Sequence, residues 1–202
     1  MKTIDDLLIE IKEDKTDNLS TTSFKFKKDV WEYFSDFKDK VAVEFGTHKG
    51  QTTRILSHLF RKVYTINNNE SEFAKELNQD RNNIVYLNFD LYSTEKLTIL
   101  DEIDVFLIDA GHDYMHVISD INRVISMNCA SDCYIIFDDY GANCHEFTVK
   151  RAIDEALNAD YLISIKSIGH APGYNFGNAN KGGPDRILKY HEGLITKINW
   201  HE

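Results

Sequence analysis

Short apolar runs at residues 41–45, 63–66, 84–89, 105–108 and 134–137 alternate with stretches of helical periodicity near 51–62, 70–80, 94–101 and 114–127. A strand followed each time by a helix has few ways to fold. Parallel strands need long crossovers, and the crossover helices cover both faces of the sheet they connect. The clearest helix is 114–127, where Val117, Ile118, Ile121, Val124 and Ile125 fall on one face. Another carries Val149, Ala152, Ile153, Ala156 and Leu157 on one side, and runs at 162–168 and 186–190 supply two last strands. Ahead of the sheet, Ile4, Leu7, Leu8 and Ile11 repeat at helical spacing, as do Val30, Tyr33, Phe34 and Phe37. The expected architecture is one α/β domain over residues 1–202, Rossmann-like, with a mostly parallel seven-stranded sheet and helices on both faces. Residues 1–38 would form a helical cap and 40–202 the core, with polar residues 14–23 joining the first two helices. The stretch 169–184 holds half of the ten glycines and both prolines, which suits a lid or substrate loop.

Right-handed crossovers bring the carboxyl ends of parallel strands to one edge, where ligands bind in open α/β sheets. Residues 44–50, 67–70, 90–92, 109–113 and 138–141 should gather there. The first of these rim segments is Glu44-x-Gly46-x-x-x-Gly50, a strand end running through a glycine turn into a helix. Such turns present bare backbone N–H groups to a charged ligand, and glycine lets the chain approach it closely. A dinucleotide fingerprint would have three glycines as G-x-G-x-x-G. Two glycines four apart, with an acid ahead, suit a cofactor bearing an amino-acid end and a nucleoside better than a pyrophosphate.

Two other strands end in acids, Asp109 in Ile108-Asp109-Ala-Gly-His112-Asp-Tyr114 and the pair Asp138-Asp139 in Phe137-Asp138-Asp139-Tyr140. Three carboxylates in a partly dry cleft repel one another, and a hard divalent cation such as Mg²⁺ relieves that repulsion. Two other readings stand beside this one. Asp109 or Asp113 could cap the following helix, and His112 with His116 could join Asp109 around a transition metal. Cys144-His145 has no partner pair and reads as chemically idle.

The formal net charge of −10 argues against duplex nucleic acid or an anionic membrane as partner, since both demand basic patches. Lys25, Lys27 and Lys28 read as a solvated face. No apolar run approaches bilayer-spanning length, and no secretion-type segment opens the chain. Three cysteines without zinc spacing fit a reducing, cytoplasmic setting.

Taken in order, the Glu44–Gly50, Ile108–Tyr114 and Phe137–Tyr140 motifs resemble class I S-adenosylmethionine-dependent methyltransferases. Within that class they look most like Mg²⁺-dependent small-molecule O-methyltransferases of the catechol and macrolide-sugar types. The likeness runs from about residue 41 to 157. It implies that the turn Gly46-Thr47-x-x-Gly50 holds the methionine end of the cofactor, with Glu44 near the amino group and Thr52 at the carboxylate. Asn67 stands where the family has an acid gripping the ribose hydroxyls, and an amide lacks that charge-assisted bond; Glu70 could compensate. Asp90 matches the position near adenine, with an N-cap for the next helix as its rival role. Asp109, beside the cofactor, would share the metal with Asp138 and Asp139, and His112 would take the proton from a substrate hydroxyl. The implied reaction is direct methyl transfer from S-adenosylmethionine to an oxygen of a sugar or phenol. A module that only holds S-adenosylmethionine or its product, or a metal-independent relative, is the alternative; a nicotinamide oxidoreductase is a third.

Overall fold

A computed structural model describes residues 2–11, 22–175 and 187–200. Helices α1 (Ile4–Glu10) and α2 (Phe24–Tyr33) precede the first strand, β1 (Val41–Phe45). Then follow α3 (Gln51–Leu59), β2 (Lys62–Asn67), α4 (Glu72–Leu77), β3 (Ile84–Asn88), β4 (Ile103–Ile108), α5 (Tyr114–Ile125) and β5 (Cys129–Phe137). The chain closes with α6 (Arg151–Asn158), β6 (Leu162–Ile168) and β7 (Gly193–Ile198). The seven strands form one sheet in the order β3-β2-β1-β4-β5-β7-β6. Strands β1 to β5 pair in parallel, and β7 inserts antiparallel between β5 and β6. This is the expected single-domain Rossmann-like fold.

Strand alternation divides the core. Val43, Phe45, Phe106, Ile108, Ile135 and Phe137 face the α5–α6 side, packing on Val117, Ile121, Val124 and Ile153. Ala42, Val63, Val105, Leu107, Ile136 and Ile195 face the other side, against Leu7 and Ile11 of the α1 segment, Phe26 and Val30 of α2, and Ile55 and Leu59 of α3. Each fully buried aliphatic or aromatic side chain is worth about 1.5–3 kcal/mol relative to exposure, so the two layers fix both faces of the sheet. Phe24, Trp31 and Tyr33 pack partly buried on this second layer. Three helix starts carry side-chain caps: Thr3 and Asp6 form a capping box on α1, and Ser23 and Ser71 accept from Phe26 N and Ala74 N on α2 and α4.

Three expectations need correction. Residues 94–101 form no helix; Leu97 and Ile99 turn inward while Leu100 is 89% exposed, an extended alternation rather than a helical one. The last strand is Gly193–Ile198, not 186–190; of the latter stretch, Ile187 and Leu188 make only isolated bridges, to Asn175 and Ala142. Lys27 is not on a solvated face: it is 1% exposed. The expected linker 14–23 and the expected lid 169–184 lie largely outside the described residues, which resume at Thr22 and break between Asn175 and Ile187.

Candidate active site

At the carboxyl edge of the sheet, the β1–α3 turn is built around two left-handed glycines, Gly46 at φ 98° and Gly50 at φ 73°. A Cβ on Gly46 would lie 2.0 Å from the Asp109 carbonyl oxygen, and one on Gly50 would lie 2.6 Å from the Ala74 Cβ. The turn therefore packs directly on the end of β4 and on α4, which only glycine allows. His48 between them also has a positive φ, 43°, uncommon for a residue with a side chain.

Beside this turn opens a cavity of about 460 Å³. Every expected cofactor residue except Gly50 lines it: Glu44, Gly46, Thr47, Thr52, Asn67, Asp90 and Asp109. Gly50 instead shapes the turn. His112 also lines the cavity, together with Tyr92 and His116, whose rings stack with centroids 3.9 Å apart. Reading His116 as a possible transition-metal ligand missed this wall. Only the fold could bring the 90–92 loop over α5.

Glu44 sits at the floor, 1% exposed. Thr65 Oγ1 donates to its Oε2 at 2.6 Å, Thr53 donates to the same oxygen, and Thr47 Oγ1 lies 2.7 Å from Thr65 Oγ1. Burial nevertheless pushes its pKa up to about 8; the two hydroxyls oppose the shift, the Asp109 charge adds to it, and the Lys27 charge lowers it. A carboxyl in this state is poised to pair with a ligand ammonium. Asn67 turns its amide toward the backbone, with Nδ2 donating to Asn69 O at 2.9 Å. Asp90 does not cap a helix; its Oδ1 accepts from Tyr92 N at 2.9 Å and holds the turn. Asp113 occupies the N-cap position of α5 but its side chain makes no cap bond.

At the acceptor side, Asp139 has φ 60°, a left-handed conformation that costs energy outside glycine and is commonest at functional sites. Its carboxylate, 5% exposed, has Oδ2 2.9 Å from His112 Nε2 and 3.6 Å from His145 Nε2. The two imidazoles stack at 4.9 Å. Asp109 Oδ1 is farther from His112, at 3.8 Å. Burial, and then the charge of His112, lowers the pKa of His145, which favours its neutral form. His145 is thus not idle, as Cys144-His145 reads in isolation, but part of this cluster; a one-turn π-helix, Glu146–Lys150, follows it, a feature frequent near functional sites.

The expected magnesium site does not assemble. Asp109, His112 and Asp138 line one small cavity, yet among the described residues no three acidic, imidazole or thiol side chains come together as a metal site. The Asp139 carboxylate is instead directed at two imidazoles, and nothing in this donor set supports a bound Mg²⁺.

A family model described as a methyltransferase domain matches residues 43–140, the segment from β1 through the Asp138–Asp139 pair. Over that segment the chain resembles a methyltransferase domain. No curated protein matches the sequence. The methyltransferase fold recurs in solved structures of low identity. The N-methyltransferase NodS from Bradyrhizobium japonicum, bound to S-adenosylhomocysteine, is 12% identical with a TM-score of 0.63, covering 98% of each chain. The tRNA (m1A58) methyltransferase TrmI from Aquifex aeolicus is 15% identical with a TM-score of 0.62, over 100% of this chain and 77% of that one. The 1,6-didemethyltoxoflavin-N1-methyltransferase of Burkholderia thailandensis, with its substrate and S-adenosylhomocysteine bound, is 12% identical with a TM-score of 0.59, over 86% and 76%. At these identities the likeness establishes the methyltransferase fold and leaves the acceptor open.

Proposed function

We propose that the chain is an S-adenosylmethionine-dependent O-methyltransferase acting on a hydroxyl of a small sugar-like or phenolic molecule. The observation that carries this reading is the His112–Asp139 pair at the edge of the cofactor-sized cavity. With Nε2–H donated to Asp139, a neutral imidazole carries its lone pair on Nδ1, the atom that accepts a proton. Asp139 then stabilises the imidazolium that results, the role a buried carboxylate plays behind a catalytic histidine.

Bound S-adenosylmethionine would supply an electrophilic methyl on a sulfonium. The Gly46–Gly50 turn and Thr52 would hold its amino-acid end, Glu44 its ammonium, and the cavity wall of Asp90, Tyr92 and His116 its nucleoside end. His112 would take the hydroxyl proton as the substrate oxygen accepts the methyl that a bound sulfonium would supply, leaving a neutral thioether. Much of the acceleration in such a reaction comes from holding oxygen and methyl in line in a water-poor site. This reading needs no magnesium, since among the described residues the three acids do not come together as a metal site. The net charge of −10 favours a small acceptor over RNA, although one structural neighbour acts on tRNA.

Incubating the protein with S-adenosylmethionine and a panel of sugars and catechols, and measuring S-adenosylhomocysteine release, tests the reading. Turnover with a hydroxyl acceptor that is lost in His112→Ala is expected. Tight cofactor binding with no turnover on any acceptor would favour a binding module. The specific observation on that side is Asn67 with its amide turned to Asn69 in place of a ribose-binding acid.

A further inference from the structure

Lys27 is a fully buried ammonium in a part of the chain that the family model does not cover. Burying a lysine is costly, so where its protons point is informative. Its Nζ donates to the Thr22 carbonyl oxygen and, at 2.7 Å, to Thr22 Oγ1. Thr22 Oγ1 in turn lies 3.0 Å from Thr52 Oγ1, and Thr52 lines the cofactor cavity. The direction of this chain is fixed at one end. An ammonium can only donate, so the Thr22 hydroxyl accepts from Lys27; either threonine can donate in the Thr22–Thr52 bond, and a carboxylate placed beside Thr52 selects the arrangement in which Thr22 donates. Thr52 Oγ1 then accepts, and its proton is left to donate to an acceptor in the cavity. Hydrogen bonds aligned this way reinforce one another, and the buried positive charge lies at their source.

The relay is anchored. Ser23, next to Thr22, donates its backbone N–H to Glu192 Oε1 at 2.8 Å, and its hydroxyl bonds Oε2 of the same carboxylate. Glu192 is 2% exposed and also accepts from His170 N at 3.2 Å, so the start of α2 is clamped to the segment after β6. The Thr22–Ser23 backbone is thereby tied to the segments that flank β6 and β7.

From this directed chain we infer that Lys27, acting through Thr22 and Thr52, is a positioning residue for the carboxylate of the cofactor's amino-acid end. The helical cap is thereby part of the cofactor site rather than only its cover. The inference rests on the S-adenosylmethionine reading, and the experiment separates the two. Two nucleosides are titrated calorimetrically: S-adenosylhomocysteine, which has the carboxylate, and 5′-methylthioadenosine, which lacks the whole amino-acid end.

The wild type should bind the first much more tightly than the second. Thr22→Val, which removes the relay hydroxyl at nearly constant volume, should weaken S-adenosylhomocysteine about ten- to hundredfold, the worth of a charge-assisted bond, and leave methylthioadenosine unchanged. Lys27→Met should act the same way, and Thr22→Ser should restore affinity. Equal losses for both nucleosides, or unchanged S-adenosylhomocysteine affinity in folded Thr22→Val, would overturn the inference. Failure of the wild type to bind either nucleoside would remove the cofactor reading itself, and the inference with it.

Discussion

His112 Nε2 stands 2.9 Å from Asp139 Oδ2, closer than to Asp109 Oδ1 at 3.8 Å, so Asp139 is the carboxylate that orients the imidazole. General-base catalysis of this kind contributes about 10²–10⁴ in rate. His112→Ala and Asp139→Asn should each lower kcat by about that factor, with the affinity for S-adenosylhomocysteine nearly unchanged. Asp109→Asn should instead act mainly on cofactor affinity, since Asp109 shares the cavity with Glu44. Parallel steady-state kinetics and calorimetry on the three variants check the division. A similar loss of affinity in all three would merge the roles.

Glu44 makes cofactor binding and folding depend on pH in a fixed direction. Its carboxyl titrates near 4.5 when unfolded and at about 8 in the folded chain, chiefly because of burial. Between those values the folded state holds more protons than the unfolded one, so stability from this group falls as pH rises from about 4.5 through about 8. A ligand ammonium beside Glu44 would favour the carboxylate and expel the proton. Binding of S-adenosylhomocysteine near neutral pH should therefore release about one proton, visible as a dependence of the calorimetric enthalpy on buffer ionisation. Glu44→Gln should abolish the release and flatten thermal stability across that pH window. Buffer-independent heats in the wild type would contradict the assignment.

The site was readable in sequence wherever backbone periodicity determined the outcome. The β1 run into Gly46 and Gly50, and the strand ends at Asp109 and Asp138–Asp139, needed only alternation and turn chemistry to be placed on one edge. What escaped was set by contacts remote in the chain. Residues 94–101 look helical in isolation, but Arg123 of α5 binds the carbonyls of Leu91, Ser93 and Glu95 and holds the incoming segment extended. Residues 186–190 read as the last strand in isolation, whereas the position between β5 and β6 is filled by 193–198, with Ile195 and Thr196 wholly buried. Lys27 carries no local sign of burial, because its partner Thr22 reaches Thr52 only when α2 packs on α3. His145 lies in a short 3₁₀ turn after Asp139, and its approach depends on the left-handed backbone at that aspartate.

Gly46 joins fold and site at one atom. Its left-handed φ disfavours any side chain, and the Asp109 carbonyl oxygen occupies the space a Cβ would need. Backbone sits on both sides of the clash, so relief requires β1 and β4 to separate at their carboxyl ends. Gly46→Ala should lose about 3 kcal/mol or more of stability, in the range of strained and overpacked positions. Gly173→Ala, at φ 88° with open space around it, should lose only the conformational part, about 1 kcal/mol. Chemical denaturation of both variants compares them; equal losses would mean that the packing against Asp109 is relieved cheaply.

The absence of a grouped donor set around Asp109, Asp138 and Asp139 makes chelation the sharpest test of the chemistry. If the proton goes to His112 and the acids only orient and repel, a chelator has nothing essential to remove. Turnover after prolonged EDTA treatment should stay within about twofold of the untreated rate, and added Mg²⁺ should shift it only slightly through screening of nearby carboxylates. Asp138→Asn gives an independent reading on the same point. A cation bridging the pair would make this variant as inactive as His112→Ala, whereas a carboxylate that serves packing and local charge should cost about tenfold or less. Loss of activity in EDTA together with recovery in Mg²⁺ would show that the strand ends rearrange around a cation once cofactor and acceptor are bound. The His112–Asp139 pair would then orient a base beside a metal-bound hydroxyl instead of acting alone.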